Sequence, residues 1–156
     1  MSTIHILLFW AAIHLALQVA PIRETVPNWS ELRAAATAGD AESQFQTGMA
    51  FYEGSNELQD FKTGVSWFRK AALQGHAKAQ YALGSAYASG RGLNVDSFEA
   101  YVWIRISAGP TPDETARAVL SKVARTLSSA QIQRAETTAT NRRKKIKKRR
   151  LNVSKR

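Results

Sequence analysis

Small and aromatic residues recur at a helical spacing along residues 41 to 51 and again along residues 77 to 87. Positions i, i+3, i+7 and i+10 lie on one face of an α-helix. In both segments these positions carry alanine, glutamine, glycine and an aromatic residue: Ala41, Gln44, Gly48 and Phe51, then Ala77, Gln80, Gly84 and Tyr87. The pattern predicts two equivalent helices, each with a face of small residues that lets a second helix approach closely.

The equivalence extends over a repeat of 36 residues, since residues 39 to 74 align on residues 75 to 110 without a gap and share ten identical residues. A period of this length is typical of stacked helical hairpins. In each unit a glycine is expected to end the first helix and an aspartate, Asp60 or Asp96, to begin the second. A tryptophan is expected to pack on the neighbouring hairpin. The residues predicted to build the repeat are Gly48, Gly54, Trp67, Gly84, Gly90 and Trp103.

Two units are few for such a stack, because about three repeats are usually needed to bury a continuous core. Residues 29 to 38 predict a lone helix that packs under the first unit through Trp29 or Leu32. The segment before the first unit therefore supplies part of the missing surface.

Two more helices are predicted after the second unit. Thr111 and Glu114 fit a capping box with Pro112 at the first helical position, followed by a helix to about residue 127. Ser128 and Gln131 fit a second capping box that begins a further helix. We expect these helices to cap the end of the stack.

The second unit carries a recognisable motif. Residues 77 to 108, AKAQYALGSAYASGRGLNVDSFEAYVWIRISA, resemble a Sel-one-like repeat, a branch of the tetratricopeptide superfamily with longer units. That motif runs A-x-A-Q-x-x-L-G-x-x-Y-x-x-G-x-G-V and continues D-x-x-x-A-x-x-W-x-x-x-A-A, with Leu93 here for the usual valine and Ser107 for one alanine. Residues 41 to 76 match less closely, and the resemblance covers roughly residues 28 to 136.

The resemblance implies an all-α, short right-handed α-solenoid of helix-turn-helix repeats with helical caps. It also implies a protein that binds other proteins and performs no chemistry of its own. Many relatives are exported bacterial adaptors or regulators.

The first twenty residues are of a different kind. Residues 4 to 20 are apolar almost throughout and would span ~25 Å as a helix, which fits a signal-peptide core or a short anchor. Gln18 and Pro21 flank the best cleavage position unfavourably. An uncleaved export segment, a cleaved signal and a buried helix remain open, as does the membrane orientation. We expect an exported bacterial protein that is periplasmic or membrane-anchored, with a cytoplasmic location as the alternative.

The net charge of +10 belongs to the end of the chain. Residues 1 to 141 contain 12 basic and 12 acidic residues, whereas residues 142 to 156 contain ten basic residues and no acid. The sequence thus divides into an export signal or anchor, the repeats with their N-terminal half-repeat, capping helices and a basic tail: residues 1–27, 28–110, 111–141 and 142–156. Removal of this tail is expected to leave the helical content unchanged.

Eight cations of the tail are candidates for contact with an anionic surface: Arg142, Arg143, Lys144, Lys145, Lys147, Lys148, Arg149 and Arg150. An anionic membrane, a nucleic acid and plain solvation as a disordered end are the alternatives. Nucleic acid is the less favoured partner, because the tail has no aromatic residue on which bases could stack.

The sequence offers little for catalysis. It contains no cysteine, and its three histidines, His5, His14 and His76, do not fall together with a nucleophile or paired acids. His76 is interpreted as a turn residue, and Asp113 and Glu114 as acids of a helix first turn. We therefore predict no enzyme activity, catalytic residue, metal site, cofactor or small-molecule substrate.

Non-repeating residues of the first helices are predicted to line a concave groove. They project away from the packing face, and aromatic residues with a methionine suit a partner peptide or helix. These residues are Phe45, Met49, Tyr52, Lys78, Tyr81 and Ser85. The alternative is that Phe45 and Tyr81 only pack on adjacent helices.

The sequence as a whole predicts a non-enzymatic interaction scaffold, an adaptor or regulator. The alternative function is that of an adaptor that acts on nucleic acid or the inner leaflet through its tail.

Overall fold

The computed structural model describes residues 28–55 and 58–153, which form seven helices and no strand. The helices are α1 (Trp29–Ala38), α2 (Ala41–Glu53), α3 (Phe61–Leu73), α4 (Ala77–Ser89), α5 (Ser97–Ser107), α6 (Glu114–Ala124) and α7 (Ser129–Val153). The predicted export segment, residues 1–27, lies outside the described residues. None of the helices in the described ranges is long and apolar enough to cross a lipid bilayer.

Neighbouring helices pack in chain order from α1 to α6, with α2–α3 and α4–α5 as the two hairpins. Close approach inside each hairpin depends on glycine. A Cβ atom at Gly48 would lie 2.6 Å from the ring of Phe68, and one at Gly84 would lie 2.7 Å from the side chain of Ile104. Both distances are shorter than van der Waals contact allows. The small-residue face is confirmed, and the fold is an all-α helical solenoid.

The predicted caps of the repeats are also confirmed. Asp60 and Asp96 are the N-caps of α3 and α5, and their carboxylates accept backbone N–H groups in the first turn. Gly54 and Gly90 end α2 and α4 with φ of 75° and 72°, the left-handed conformation that favours glycine.

The N-terminal helix packs as expected. Leu32 is buried, and the ring of Trp29 lies edge-on to Phe51 with 5.8 Å between ring centroids. Gln44 and Gln80 each donate a side-chain hydrogen bond to a carbonyl of the preceding helix, at 3.1 Å in both repeats. The repeated glutamines therefore join each unit to the helix before it.

The capping box predicted at Thr111 and Glu114 is wrong. Asp113 is the N-cap of α6, and its carboxylate accepts the N–H of Ala116 at 2.7 Å. Aspartate binds the first-turn N–H groups at least as well as threonine, so the helix begins at Glu114 with Pro112 outside it. The helix ends at Ala124, three residues earlier than predicted.

The second predicted capping box is confirmed. The Ser128 hydroxyl accepts the N–H of Gln131, and the Gln131 side chain accepts the N–H of Ser128. The helix that begins there, α7, runs for 25 residues and continues without a break past residue 142, the predicted start of the tail. We call residues 142–153 the basic strap.

The basic strap packs back across the solenoid. Ile146 is 5% exposed and contacts the core, while Arg142 makes an ion pair with Glu99 of α5. A Cβ atom at Gly75, between the two units, would lie 3.2 Å from Ile146 and 3.0 Å from Arg150. The last helix therefore reaches the junction between the first and second repeats.

Upstream of the strap, α7 is held to α5 by a polar cluster. Glu136 accepts hydrogen bonds from Tyr101 at 2.8 Å and from Arg105 at 2.9 and 3.1 Å. Burial, together with the neighbouring Glu136 carboxylate, raises the pKa of Tyr101 to about 12. Arg105 and Arg143 both donate to the carbonyl of Gly109, so the end of α5 is bound by two guanidinium groups.

Candidate functional site

The first helices of the two units form the walls of one open groove with a volume of about 800 Å³. All six residues predicted for a partner-binding groove line it: Phe45, Met49, Tyr52, Lys78, Tyr81 and Ser85. They come from α2 and α4, where the 36-residue period places them at corresponding turns. The structure thus brings the predicted residues together, and we call this feature the concave groove.

Aromatic rings form the floor of the concave groove. Tyr52 lies between Phe61 and Phe68, with ring centroids 4.9 and 5.4 Å apart, and Phe45 lies 5.9 Å from Phe68. These spacings are those of favourable tilted and edge-to-face pairs. The floor is therefore apolar and held in place by ring-to-ring contacts.

The second helix of the first unit also lines the groove, a contribution that was not predicted from the sequence. Phe61 and Phe68 line the groove from α3, and Arg91 lines it from the turn after α4. Phe61 directly follows the N-cap Asp60, and Phe68 lies seven residues later on the same helical face. That spacing was the available signal, although it is also the spacing of ordinary core residues.

His76 contacts Phe45, one of the aromatic rings of the groove floor. Its ring stacks on Phe45 with centroids 4.9 Å apart, and its Nδ1 accepts the N–H of Ala79 at 3.1 Å as the N-cap of α4. Its Nε2 lies 2.8 Å from a carboxylate oxygen of Glu42. The hydrogen bond from His76 holds the pKa of Glu42 below its usual value, with a second hydrogen bond from Gln46 adding to the effect.

The side chains of the groove differ in exposure. Phe45 is half-buried by its contacts with His76 and Phe68, so the packing alternative holds for this residue in part. Tyr81 is 46% exposed and has no ring contact among the described residues. Met49 is half-buried beside the floor. Among the aromatic side chains that line the groove, Tyr81 therefore has the largest exposed fraction and is available for contact with a partner.

Charges stand on the rim rather than on the floor. The groove lining contains the cations Lys78 and Arg91 and the carboxylate of Glu53. The Arg91 guanidinium lies 5.8 Å from the ring centroid of Phe61. An apolar floor with a charged rim can bind a peptide or helix by burying its apolar side chains and orienting its polar ones.

The eight cations predicted to contact an anionic surface differ in their surroundings. Lys144, Lys145, Lys147 and Lys148 are exposed, whereas Arg142 and Arg143 are half-buried and bonded to α5 and its end. Arg149 and Arg150 lie beside the ends of α3 and its neighbours. Contact with an anionic surface stays a prediction.

The described residues contain no group of three or more His, Cys, Asp or Glu side chains that could hold a metal ion. Within residues 28–55 and 58–153, the lining of the concave groove has one carboxylate and no histidine.

Comparison with known proteins supports the repeat assignment. The Sel1 repeat family matches residues 41–76 and 77–108, the two hairpin units. A protective antigen of uropathogenic Escherichia coli with an SLR fold superposes with a TM-score of 0.70 at 27% identity, covering 81% of this chain and 27% of that one. A Sel1 repeat protein from Oxalobacter formigenes has a TM-score of 0.55 at 32% identity, covering 60% of this chain and 38% of that one. No curated protein matches the chain significantly.

This chain is thus much shorter than the two solved structures, spanning 27% and 38% of their lengths. The resemblance noted in the second unit is confirmed for both units.

Proposed function

This chain carries two consecutive Sel1 repeats, and we propose that it is a non-enzymatic adaptor or regulator that binds another protein in the concave groove. Sel1 repeat proteins are typically protein–protein interaction scaffolds. The observation that carries the proposal is the groove itself, in which an aromatic floor lies open between the first helices of both units.

The partner is a peptide or helix with large apolar side chains. Tyr81 and Met49 offer apolar surface on opposite walls, and Lys78, Arg91 and Glu53 on the rim can orient the partner's polar groups. Aromatic side chains in such positions commonly supply most of the binding energy.

Site-specific photo-crosslinking tests the proposal. A photoreactive phenylalanine replaces Tyr81 in the groove or, as a control, Ser66, which is exposed on α3 outside the groove. We expect a discrete adduct from position 81 and none from position 66, and mass spectrometry then identifies the bound segment. Equal adducts from both positions would contradict binding in the groove.

Affinity for the identified segment is then measured with Tyr81→Ala. We expect a loss of about 10- to 100-fold with an unchanged melting temperature. Val95→Ala, which truncates an exposed apolar side chain outside the groove, should bind as the wild type does. If Tyr81→Ala unfolds the chain, Tyr81 is a core residue and the assignment fails.

Export or membrane attachment is part of the proposal and rests on the sequence, in which residues 4 to 20 are apolar almost throughout. A tag after residue 156 is probed with protease in intact cells and in spheroplasts. Cleavage only after removal of the outer barrier supports a periplasmic location. Protection until lysis would contradict it.

The four exposed lysines of the basic strap favour a second candidate, an adaptor that binds nucleic acid or an anionic inner leaflet. Salt distinguishes the two functions. Contact with ~6–10 phosphates would weaken affinity by ~10³–10⁵ between about 50 and 200 mM salt, whereas an apolar peptide in the groove would respond little.

A further inference from the structure

A second depression lies on the surface where the basic strap crosses the repeats, and it shares no lining residue with the concave groove. Its volume is about 480 Å³, and α3, α4, α5 and α7 all contribute to its walls. We call it the basic depression. Its charged lining residues are Arg69, Glu99, Arg142, Lys145 and Arg149.

Positive charge in the basic depression is not balanced. Glu99 is the one carboxylate that the described part of the chain contributes to the lining, and it is already bound by both terminal nitrogens of Arg142 at 2.6 and 2.9 Å. Arg69 donates to the neutral hydroxyl of Tyr87 at 2.8 Å. Lys145 and Arg149 make no ion pair with the described residues. Three cations therefore face this depression without a counter-charge.

These cations come from two separate elements. Arg142, Lys145 and Arg149 lie at i, i+3 and i+7, on one stripe of α7, while Arg69 lies on α3 across the depression. The neighbouring lysines Lys144 and Lys148 do not line the depression. The concentration of charge is thus a property of the packing of the two elements, in addition to the basic run itself.

The floor of the basic depression is preorganised. Arg142 lies over the ring of Trp103, with 4.9 Å between its Cζ and the ring centroid, and Glu99 fixes its guanidinium from the side. Trp103 is 3% exposed, and its buried Nε1 has no hydrogen-bond partner among the residues that the structure describes. A guanidinium held in this way needs little ordering when a ligand arrives.

We infer that the basic depression binds a phosphate group. A phosphate carries about two negative charges near neutral pH on one compact group, which matches the cluster of unpaired cations. The fork of a guanidinium donates to two phosphate oxygens at once, and Lys145 adds a mobile ammonium donor. The Tyr87 hydroxyl accepts from Arg69 and keeps its own proton to donate to the ligand.

Calorimetric titration of the full chain with inorganic pyrophosphate tests the inference, with ionic strength held constant by sodium chloride. We expect saturable binding at one site. Arg69→Gln and Arg149→Gln should each weaken it by about tenfold, the loss expected for one charge-assisted hydrogen bond. Circular dichroism checks that each variant is folded. If Arg69→Gln does not fold, the affinity of Arg149→Gln for pyrophosphate tests the inference.

Matched variants remove the same charge from the same helices outside the depression. Lys70→Gln on α3 and Lys144→Gln on α7 should bind pyrophosphate as the wild type does. Equal weakening in all four variants would show a diffuse charge effect and overturn the inference. Absence of saturable binding would also overturn it.

Vesicles separate the possible sources of the phosphate. Phosphatidylcholine vesicles containing phosphatidic acid present it as a headgroup. Binding that Arg69→Gln and Arg149→Gln weaken, but Lys70→Gln and Lys144→Gln do not, indicates a lipid headgroup. Binding of pyrophosphate without such vesicle binding indicates a soluble phosphate compound. Tyr81→Ala should retain both activities, so failure of the groove proposal leaves this test unaffected.

Discussion

Arg142 donates two hydrogen bonds, at 2.6 and 2.9 Å, to the carboxylate of Glu99, a residue 43 positions earlier in the chain. The side chains are only 27% and 24% exposed, so solvent screens this pair less than an ion pair on the open surface. The contact attaches the basic strap to the second repeat. Arg142 therefore stabilises the packing of α7 on α5.

Replacement of Arg142 should therefore destabilise the fold. We expect Arg142→Ala to lower the free energy of unfolding by about 2 kcal/mol, within the range for hydrogen bonds to charged groups. Urea denaturation measures the change. Lys145→Ala, which removes an exposed cation three residues along the same helix, should change stability by less than about 0.5 kcal/mol. Similar losses from both would mean that the pair with Glu99 contributes little.

From the sequence we expected that removal of the tail would leave the helical content unchanged. The structure contradicts this expectation, because α7 continues to Val153. Removal of residues 142 to 156 exposes the core contacts of Ile146 and breaks those of Arg142 and Arg143, so the melting temperature should fall. Ile146→Ala alone should cost about 2–4 kcal/mol, as for other large-to-small core replacements. Thermal denaturation followed by circular dichroism is the measurement. A variant with Lys144, Lys147 and Lys148 changed to glutamine controls for charge and should melt at or above the wild-type temperature.

The two repeat tryptophans should differ in their effect. Trp103 is buried beneath α7, and Trp103→Ala should destabilise by about 3–5 kcal/mol. Trp67 is half-buried, with the Lys70 ammonium 3.8 Å from its ring centroid. Trp67→Ala should lower the free energy of unfolding by about half as much, because a half-buried side chain removes less apolar surface from water when the chain folds. Chemical denaturation measures both changes in the free energy of unfolding. Equal changes would mean that the contact of Trp103 with α7 does not add to stability.

Acid should weaken the link between the two units at Glu42. The hydrogen bond from His76 lowers the pKa of this carboxyl in the folded state, so its contribution is complete above the unfolded value and is lost as pH falls through the folded value. The melting temperature of the wild type should exceed that of Glu42→Gln near neutral pH, and the gap should close below about pH 4. A gap that persists in acid would mean that the carboxylate charge is not its source.

The repeats were predictable because the residues that define each repeat lie close together in the sequence. A glycine with positive φ at position 54 or 90, an aspartate cap six residues later and a glycine at position 48 or 84 all occur at fixed spacing. The groove residues followed from the same period, since they are the non-repeating positions of equivalent helices. Phe61 and Phe68 were missed because a groove floor and a buried core have the same helical spacing.

The strap was not predictable from charge. A run of eight cations in nine positions is typical of a solvated end, and only Ile146 interrupts it. Ala135, Ala139, Arg142 and Ile146 do share a helical face, but whether a helix packs depends on the surface it meets. That surface is made by Glu99, Trp103 and Gly75, residues of two other elements.

The return of α7 to Gly75 also changes how this chain can fold. In a simple solenoid every repeat contacts only its neighbours, so folding can spread from any unit as it leaves the ribosome. Here the junction between the units is covered by Ile146 and Arg150, more than seventy positions later in the sequence. Such distant pairings raise the contact order and slow folding. The core of the repeats is therefore complete only after Ile146 and Arg150 have been synthesised.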